Sequence, residues 1–197
     1  CCFIDYYKAA VRLSALMGVP GIQVLTHDSI GMGEDGPTHQ PIEHLASLRA
    51  MPNCHVMRPA DAMEMAECWE IAVATLDRPT TMFLSRQALP TLRDGVAKEN
   101  LTARGAYVLA EADGGRKATV IATGPQVGLA LGVQQLLKDK RIAVAVVSLP
   151  SGAPFDAPTP AATPPLPGTA PGVPHRGRAH RGQGPRPCAH HPPPRPQ

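Results

Sequence analysis

The chain has 197 residues, 43% of them apolar, which is enough for one or two modest domains with packed cores. Its net charge of +3 arises in residues 151–197, which hold five arginines and a single acid, Asp156. Subtracting these from the totals of 19 Lys+Arg and 16 Asp+Glu leaves 14 against 15, so the rest of the chain is nearly neutral and gives no sign of a basic surface for nucleic acid.

Helices and strands alternate through the first part of the chain. Apolar residues recur at helical spacing over residues 5–17, and Gly18 with Pro20 supplies a stop signal. The pattern further predicts a strand at 22–25, a helix at 41–51, a strand at 54–57, a helix from its cap Asp61 to Ala74, and a strand at 80–84. Strands that alternate with helices indicate an α/β fold with a doubly wound, mostly parallel sheet.

A polar stretch then leads to a second, shorter α/β unit. This unit has predicted strands at 106–109, 120–123 and 142–149 and a helix at 127–138, and it stops too early to complete a domain. We therefore divide the chain into a partial first domain at 1–90, an interdomain linker at 91–103, a truncated α/β domain at 104–150 and a tail at 151–197.

The tail holds 14 of the 23 prolines, and it has too few apolar groups to offset the entropy of ordering, so it is predicted to be disordered. Apart from histidine, its dominant residues have codons written almost wholly in G and C. One hypothesis is therefore that the reading frame of a GC-rich gene shifts near Ser151. Resequencing the DNA across that point would test it. An alternative is a basic arm for nucleic acid, built from Arg176, Arg178, Arg181 and Arg186. Phe155 is its only aromatic residue, so base stacking would be poor, and His190 with His191 would hold a metal only weakly.

The cysteines and the start of the chain carry further expectations. Cys1, Cys2, Cys54, Cys68 and Cys188 show no C-x-x-C spacing, so neither a disulfide framework nor a zinc site is indicated, and a reducing, cytoplasmic location is expected. No stretch reaches the length of a membrane span, and no signal peptide is recognisable. The first residue is a cysteine that stands directly against a predicted helix, so we expect the gene to begin upstream and the chain to be a fragment.

The loop at 26–41 has the composition of a functional site, with two histidines, three acids and three glycines in one connection. Residues 31–36 match the dinucleotide fingerprint G-x-G-x-x-G. However, Pro37 would fall inside the helix that this motif requires, and Glu34 with Asp35 would repel a pyrophosphate. The match is therefore interpreted as accidental.

Two other interpretations of this loop stay open on the residues alone. A metal site built from His27, Asp28, Asp35 and His39 is conceivable, although it would need further ligands from elsewhere. A solvated loop capped by its own acids would account for any one of these residues. Ligands of parallel sheets bind beyond the carboxyl ends of the strands, so His27 and Arg86, which follow the first and third predicted strands, are expected to lie near each other.

The loop sequence T-H-D-S-I-G-M-G-E-D-G-P-T-H-Q-P at 26–41 resembles the signature of the transketolase family in its pyrimidine-binding domain. The resemblance extends over residues 3–150, with family-like motifs at 45–49, 58–61 and 84–87. It implies a thiamine-diphosphate-binding fold, incomplete here, for the first domain and the start of the family's C-terminal domain for the second.

The resemblance also implies roles for particular residues. In that family a two-carbon ketol unit passes from a ketose phosphate to an aldose phosphate, with thiamine diphosphate as the electron sink. His27 and Arg86 correspond to residues that bind the sugar phosphate, which suits imidazole and guanidinium donors. Asp35 corresponds to the residue that accepts a hydrogen bond from the substrate hydroxyl next to the carbonyl. His39 corresponds to a catalytic residue near the reacting carbons that assists proton transfer.

Phe3 and Tyr6 fall where the family places aromatic residues around the pyrimidine ring of the cofactor. Their i, i+3 spacing puts both on one helix face, against which a flat heterocycle can stack. A stripe of core residues is the alternative interpretation of this spacing. Tyr7 is expected to face elsewhere.

Other parts of the family's active site are expected outside this chain. The glutamate that activates the pyrimidine lies upstream of Cys1 in the family, as does the diphosphate-binding domain with its Mg²⁺ ligands. Sites in the family form between two subunits of a homodimer, so the isolated chain is expected to be inactive.

The sequence Gly-Pro-Gln-Val at 124–127 departs from the family, which more usually has a serine–glutamate version there. A noncatalytic remnant or interaction protein of the same fold is the alternative, and neither nucleic acid nor a membrane is expected as a partner.

Overall fold

The computed structural model describes residues 1–31, 33–93 and 99–152, so the predicted tail and part of the predicted linker lie outside the described residues. The first α/β unit consists of a 3-10 helix at Cys2–Tyr6, α1 (Lys8–Met17), β1 (Gly21–Asp28), α2 (His44–Arg49), β2 (His55–Met57), α3 (Ala62–Ala74) and β3 (Pro79–Ser85). The second consists of a 3-10 helix at Thr102–Arg104, β4 (Tyr107–Ala110), β5 (Ala118–Ala122), α4 (Gln126–Asp139) and β6 (Val144–Ser148).

The first sheet is parallel throughout, as the alternation of helices and strands predicts. Its strand order is β1-β3-β2, with β3 in the centre and buried on both faces from Pro79 to Phe83. Two clusters of buried side chains lie on it. One joins Val11, Leu48, Val56 and Phe83, and the other joins Met57, Cys68, Ala72 and Met82. Because α1 and α2 contribute to one cluster and α3 to the other, helices cover both faces of the sheet.

The second sheet has the order β4-β6-β5 and is mixed, which agrees with the mostly parallel α/β fold predicted from the sequence. Strands β5 and β6 are parallel, with α4 connecting them, whereas β4 runs antiparallel to β6. A parallel neighbour requires a crossover connection, usually a helix, and residues 111–117 between β4 and β5 form no helix. All of β6 is buried, so it forms the core of this unit.

Two helix-boundary signals predicted from the sequence, the stop at Gly18 and the cap at Asp61, are confirmed. Two predicted helices have different bounds in the structure. Gly18 ends α1 in the left-handed conformation at φ 66°, and the Asp61 carboxylate accepts the Glu64 N–H at 2.8 Å to cap α3. Residues 2–6 form a separate 3-10 helix because their hydrogen bonds span three residues rather than four. The helix predicted at 41–51 is shorter, and the Glu43 carbonyl accepts its first helical hydrogen bond, from Ser47.

A buried glutamate joins the two units. The Glu64 carboxylate accepts hydrogen bonds from the Tyr107 hydroxyl at 2.7 Å, the Ser148 hydroxyl at 2.5 Å and the Ala60 N–H at 2.7 Å. Only 1% of Glu64 is exposed, and burial raises its pKa above the ordinary glutamate value. Since Tyr107 and Ser148 lie on β4 and β6, this carboxylate fixes the second sheet against α3.

Candidate active site

The site begins where β1 leaves the first sheet. The register between β1 and β3 shifts between Leu25 and Asp28, so the chain bulges at Thr26 and His27 before Asp28 pairs opposite Ser85. His27 and Ser29 both have positive φ angles, 66° and 95°, which residues with a side chain rarely adopt. The bulge therefore sets His27 apart from the regular alternation of the strand.

Two short 3-10 turns, Gly33–Asp35 and Pro37–His39, bring the loop back towards β1. Gly36 separates them at φ 71°, and the His39 N–H donates to the Gly36 carbonyl at 3.1 Å. This glycine allows the reversal, because an L side chain is strained at such a φ. His39 is thereby placed on the same side of the loop as His27.

A cavity of about 170 Å³ lies where the loop meets the start of the chain, and it is lined by Cys1, Cys2, Phe3, Thr26, His27 and His39. The ring centroids of His27 and His39 are 6.4 Å apart, and the Phe3 ring meets the His39 ring edge-on at 5.1 Å. The two predicted histidines and one predicted aromatic residue therefore share one cavity.

Each of the two imidazoles is held by the threonine that precedes it. Thr26 Oγ1 lies 3.0 Å from His27 Nδ1, and Thr38 Oγ1 lies 2.9 Å from His39 Nδ1. When the hydroxyl donates to Nδ1, the ring carries its proton on Nε2. Both rings can then offer an N–H to an oxygen atom of a ligand.

The exposure of Phe3 and Tyr6 excludes the core-stripe interpretation. Phe3 is 61% exposed and Tyr6 is 90% exposed, and their ring centroids are 6.3 Å apart. In a 3-10 helix, side chains at i and i+3 eclipse each other, so both rings project from one face. Binding of a flat heterocycle by these two exposed rings stays a prediction.

Arg86 and Asp35 are not among the residues that line this cavity. Arg86 directly follows β3, whose last residue Ser85 pairs with Asp28, and its side chain is exposed. Gln87 Nε2 donates to the Gly31 carbonyl at 3.0 Å, which ties the loop after β3 to the loop after β1. Asp35 is exposed on the first 3-10 turn. Convergence of all four predicted substrate-binding residues on one ligand stays a prediction.

Among the described residues, neither the dinucleotide match nor the metal site in the loop finds support. A dinucleotide site needs a helix directly after its glycines, and here 3-10 turns follow instead. In the part of the chain that the structure describes, the residues that bring three potential metal-ligand atoms within 4.8 Å are Asp5, Glu43 and His44, rather than the loop residues. There Lys8 Nζ lies 2.9 Å from Asp5, so a cation already neutralises that carboxylate.

A buried ion pair at the base of the loop was not predicted from the sequence. Asp28 follows His27, only 4% of it is exposed, and Arg58 Nε donates to its Oδ2 at 2.5 Å. The pair joins residues thirty positions apart, and no local pattern signals it. In the sequence, the only indication of this pair is that Asp28 and Arg58 both belong to segments that carry the family resemblance.

Both α/β units match models of known domains. Residues 1–91 match the model described as the transketolase pyrimidine binding domain, and residues 105–165 match the transketolase-like C-terminal domain. The second match continues past Pro150. The fold and the cavity at its sheet edge thus define a pyrimidine-binding domain of the thiamine-diphosphate type, followed by part of a C-terminal domain.

Relatives and solved structures agree with these two matches. A transketolase of Cereibacter sphaeroides is 61% identical over 148 residues, covering 75% of this chain and 22% of the relative. A Pichia stipitis transketolase solved in complex with sedoheptulose-7-phosphate has a TM-score of 0.74 and 42% identity, covering 81% of this chain and 23% of that one. A split-gene transketolase described as an inactive β4 tetramer has a TM-score of 0.64 and 25% identity, covering 76% of this chain and 47% of that one.

This chain belongs to the transketolase family. It spans about a fifth of the length of the curated relatives that it matches. Membership of the family implies the use of thiamine diphosphate. Within the described residues, no helix combines the length and the apolar character needed to cross a bilayer.

Proposed function

We propose that this chain supplies the pyrimidine-binding side of a transketolase active site, at which a two-carbon ketol unit passes from a ketose phosphate to an aldose phosphate. The observation that carries the proposal is the cavity in which His27, His39 and Phe3 meet at the carboxyl edge of a parallel sheet. Ligands of such sheets bind at this edge. The Pichia stipitis relative, solved with a seven-carbon sugar phosphate, supports a phosphorylated sugar as the substrate.

Phe3 and Tyr6 would hold the pyrimidine ring of thiamine diphosphate, because both rings are exposed on one face of a helix beside the cavity. When bound, this cofactor supplies the electron sink for breaking the carbon–carbon bond. Its Mg²⁺ would be held by ligands outside this chain, since Mg²⁺ prefers oxygen ligands such as carboxylates and the described lining of the cavity contains no carboxylate.

We base the remaining roles of the polar side chains on the family resemblance. His27 and Arg86 would bind the sugar phosphate, since each can donate to its oxygens. His27 lies near the end of β1, and Arg86 directly follows β3 at the same sheet edge. Asp35 would accept a hydrogen bond from the hydroxyl next to the substrate carbonyl. His39 would donate its Nε2 proton to an oxygen near the reacting carbons and take it back later.

The proposed site is completed by a second subunit and by residues outside this chain, as in a homodimer of a longer enzyme in the cytoplasm. The isolated chain should therefore show no ketol transfer with thiamine diphosphate, Mg²⁺, a ketose phosphate and an aldose phosphate. The split-gene relative described as inactive agrees with this expectation. Turnover by the isolated chain would contradict the partial-site proposal.

A chimera tests the proposal positively. Residues 1–150 replace the corresponding stretch of the Cereibacter sphaeroides transketolase, to which they are 61% identical. We expect ketol transfer by this chimera and its loss in a matched chimera carrying His39→Ala. A folded, dimeric chimera that binds thiamine diphosphate without catalysing transfer would contradict the proposed function.

A further inference from the structure

Arg58 connects the loop of the site with the second α/β unit. It lies directly after β2, and only 7% of it is exposed. On one side, its Nε donates to Asp28 Oδ2 at 2.5 Å, one residue away from His27. A buried charge that loses its partner is strongly unfavourable, so these two side chains depend on each other.

On the other side, the same guanidinium reaches the start of α4. Arg58 Nη1 donates to the Thr123 carbonyl at 3.0 Å and to Gln126 Oε1 at 2.5 Å. Its backbone is fixed as well, because its N–H donates to the Pro150 carbonyl at 2.7 Å and its carbonyl accepts the Gly124 N–H at 3.1 Å. Every one of these four partners belongs to the second unit.

The backbone near His27 needs such support. His27 and Ser29 both have positive φ angles, and Asp28 lies between them. Strained conformations of this kind persist only where the surrounding structure fixes them. Asp28 is the residue of this segment whose side chain is buried and charged, so its pairing with Arg58 is the contact able to fix the bulge.

We propose that Arg58 is a positioning residue for the active site, which holds the His27 backbone in its bulged conformation by anchoring Asp28 to the second unit. The second unit thereby acquires a role in shaping a site whose cavity none of its described residues lines. That His27 then binds a sugar phosphate rests on the proposed function, whereas the position of its ring does not.

The test uses the full chain labelled with ¹³C in its histidine rings, without cofactor or turnover. The His27 ring resonance is assigned by its loss in His27→Gln, and amide hydrogen exchange is followed over residues 26–31. We expect Arg58→Gln to shift the His27 resonance and to accelerate exchange in this segment at least tenfold. A matched control is Arg93→Gln, which breaks another largely buried ion pair: Arg93, in the segment that connects the units, lies 2.9 Å from Glu67 of α3. It should lower the unfolding midpoint and leave both signals unchanged.

Two milder variants keep the test decisive if Arg58→Gln does not fold. Gln126→Ala removes one acceptor of the guanidinium and leaves the Asp28–Arg58 pair intact, so exchange should accelerate about threefold. Gln126→Glu restores an acceptor and should return the wild-type pattern. If the arginine and glutamine variants lower stability while the His27 resonance and the exchange rates stay at wild-type values, Arg58 is merely structural and the proposal is wrong. Because no ligand is used, this result is independent of whether the chimera catalyses ketol transfer.

Discussion

The imidazole rings of His27 and His39 lie 6.4 Å apart in the wall of one cavity, although one ends a strand and the other closes a loop of two 3-10 turns. Each ring is oriented by the threonine before it. When each hydroxyl donates to Nδ1, the loop presents two N–H donors to the same space, and the adjacent Phe3 ring gives that space an apolar side.

The aromatic pair should determine the affinity for the cofactor. In the chimera, Phe3→Ala should raise the dissociation constant for thiamine diphosphate about tenfold, because losing a stacking partner costs roughly 1.4 kcal/mol. Calorimetric titration with the cofactor and Mg²⁺ measures the change. Tyr7→Ala is the matched control, since Tyr7 belongs neither to the cavity lining nor to the Phe3–Tyr6 ring pair. If Phe3→Ala and Tyr7→Ala lose the same affinity for thiamine diphosphate, Phe3 does not belong to the cofactor site.

Arg86 should contribute mainly to the binding of the sugar phosphate. In the chimera, Arg86→Ala should raise KM for a ketose phosphate roughly tenfold to a hundredfold, since a charged hydrogen bond is worth about 1.5–3 kcal/mol. The value of kcat should change far less, because the phosphate contact is the same in the ground state and the transition state. Arg12→Ala, an exposed arginine on α1, is the control. An unchanged KM in Arg86→Ala would exclude this residue from the site.

Two glycines of the second unit should respond to alanine with opposite signs. Gly124 has a φ of 55°, and a Cβ there would lie 2.9 Å from Arg58 Cγ, so Gly124→Ala should lower the free energy of unfolding by about 2 kcal/mol. Gly132 lies within α4 with open space around its Cα, so Gly132→Ala should raise that free energy by about 0.5–1 kcal/mol. Urea unfolding measures both. If both variants were less stable than the wild type, a clash of the new Cβ with Arg58 would not explain the loss in Gly124→Ala.

His55 should make the stability of the chain sensitive to mild acid. Its Nε2 lies 2.9 Å from the Ser151 hydroxyl, and burial, followed by the charge of Arg78, lowers its pKa below the ordinary 6.5. The unfolded state therefore takes up a proton at higher pH than the folded state. The contribution of His55 is fully present above about pH 6.5 and is lost as the pH falls towards the lowered pKa, by at most about 1.4 kcal/mol per pH unit.

Urea unfolding at about pH 7.5 and about pH 5.5 measures this dependence. In His55→Gln the loss of stability between the two pH values should be smaller than in the wild type, since glutamine does not titrate. An equal loss in both proteins would assign the acid sensitivity to other groups.

Much of the first unit follows from local signals in the sequence. The cap at Asp61, the stop at Gly18 and the uninterrupted apolar and β-branched run of β3 each predict an element that the structure contains. The order of these elements predicts the parallel sheet, and the sheet edge predicts where His27 lies. These features depend on neighbouring residues, so a single sequence shows them.

Other features depend on partners far away in the chain. The bulge at His27 exists only relative to β3, and the charge of Asp28 is matched by Arg58, thirty residues further on. The antiparallel direction of β4 likewise exists only relative to β6, where Tyr107 pairs with Ser148. No periodicity within a short window contains this information.

The crystal structure of the chimera with thiamine diphosphate and a ketose phosphate tests the central claim most directly. We expect the phosphate within hydrogen-bond distance of Arg86 and His27, with Asp35 and His39 against the hydroxyl and carbonyl end of the same molecule. A phosphate bound away from Arg86, with the four side chains contacting no common ligand, would contradict the account.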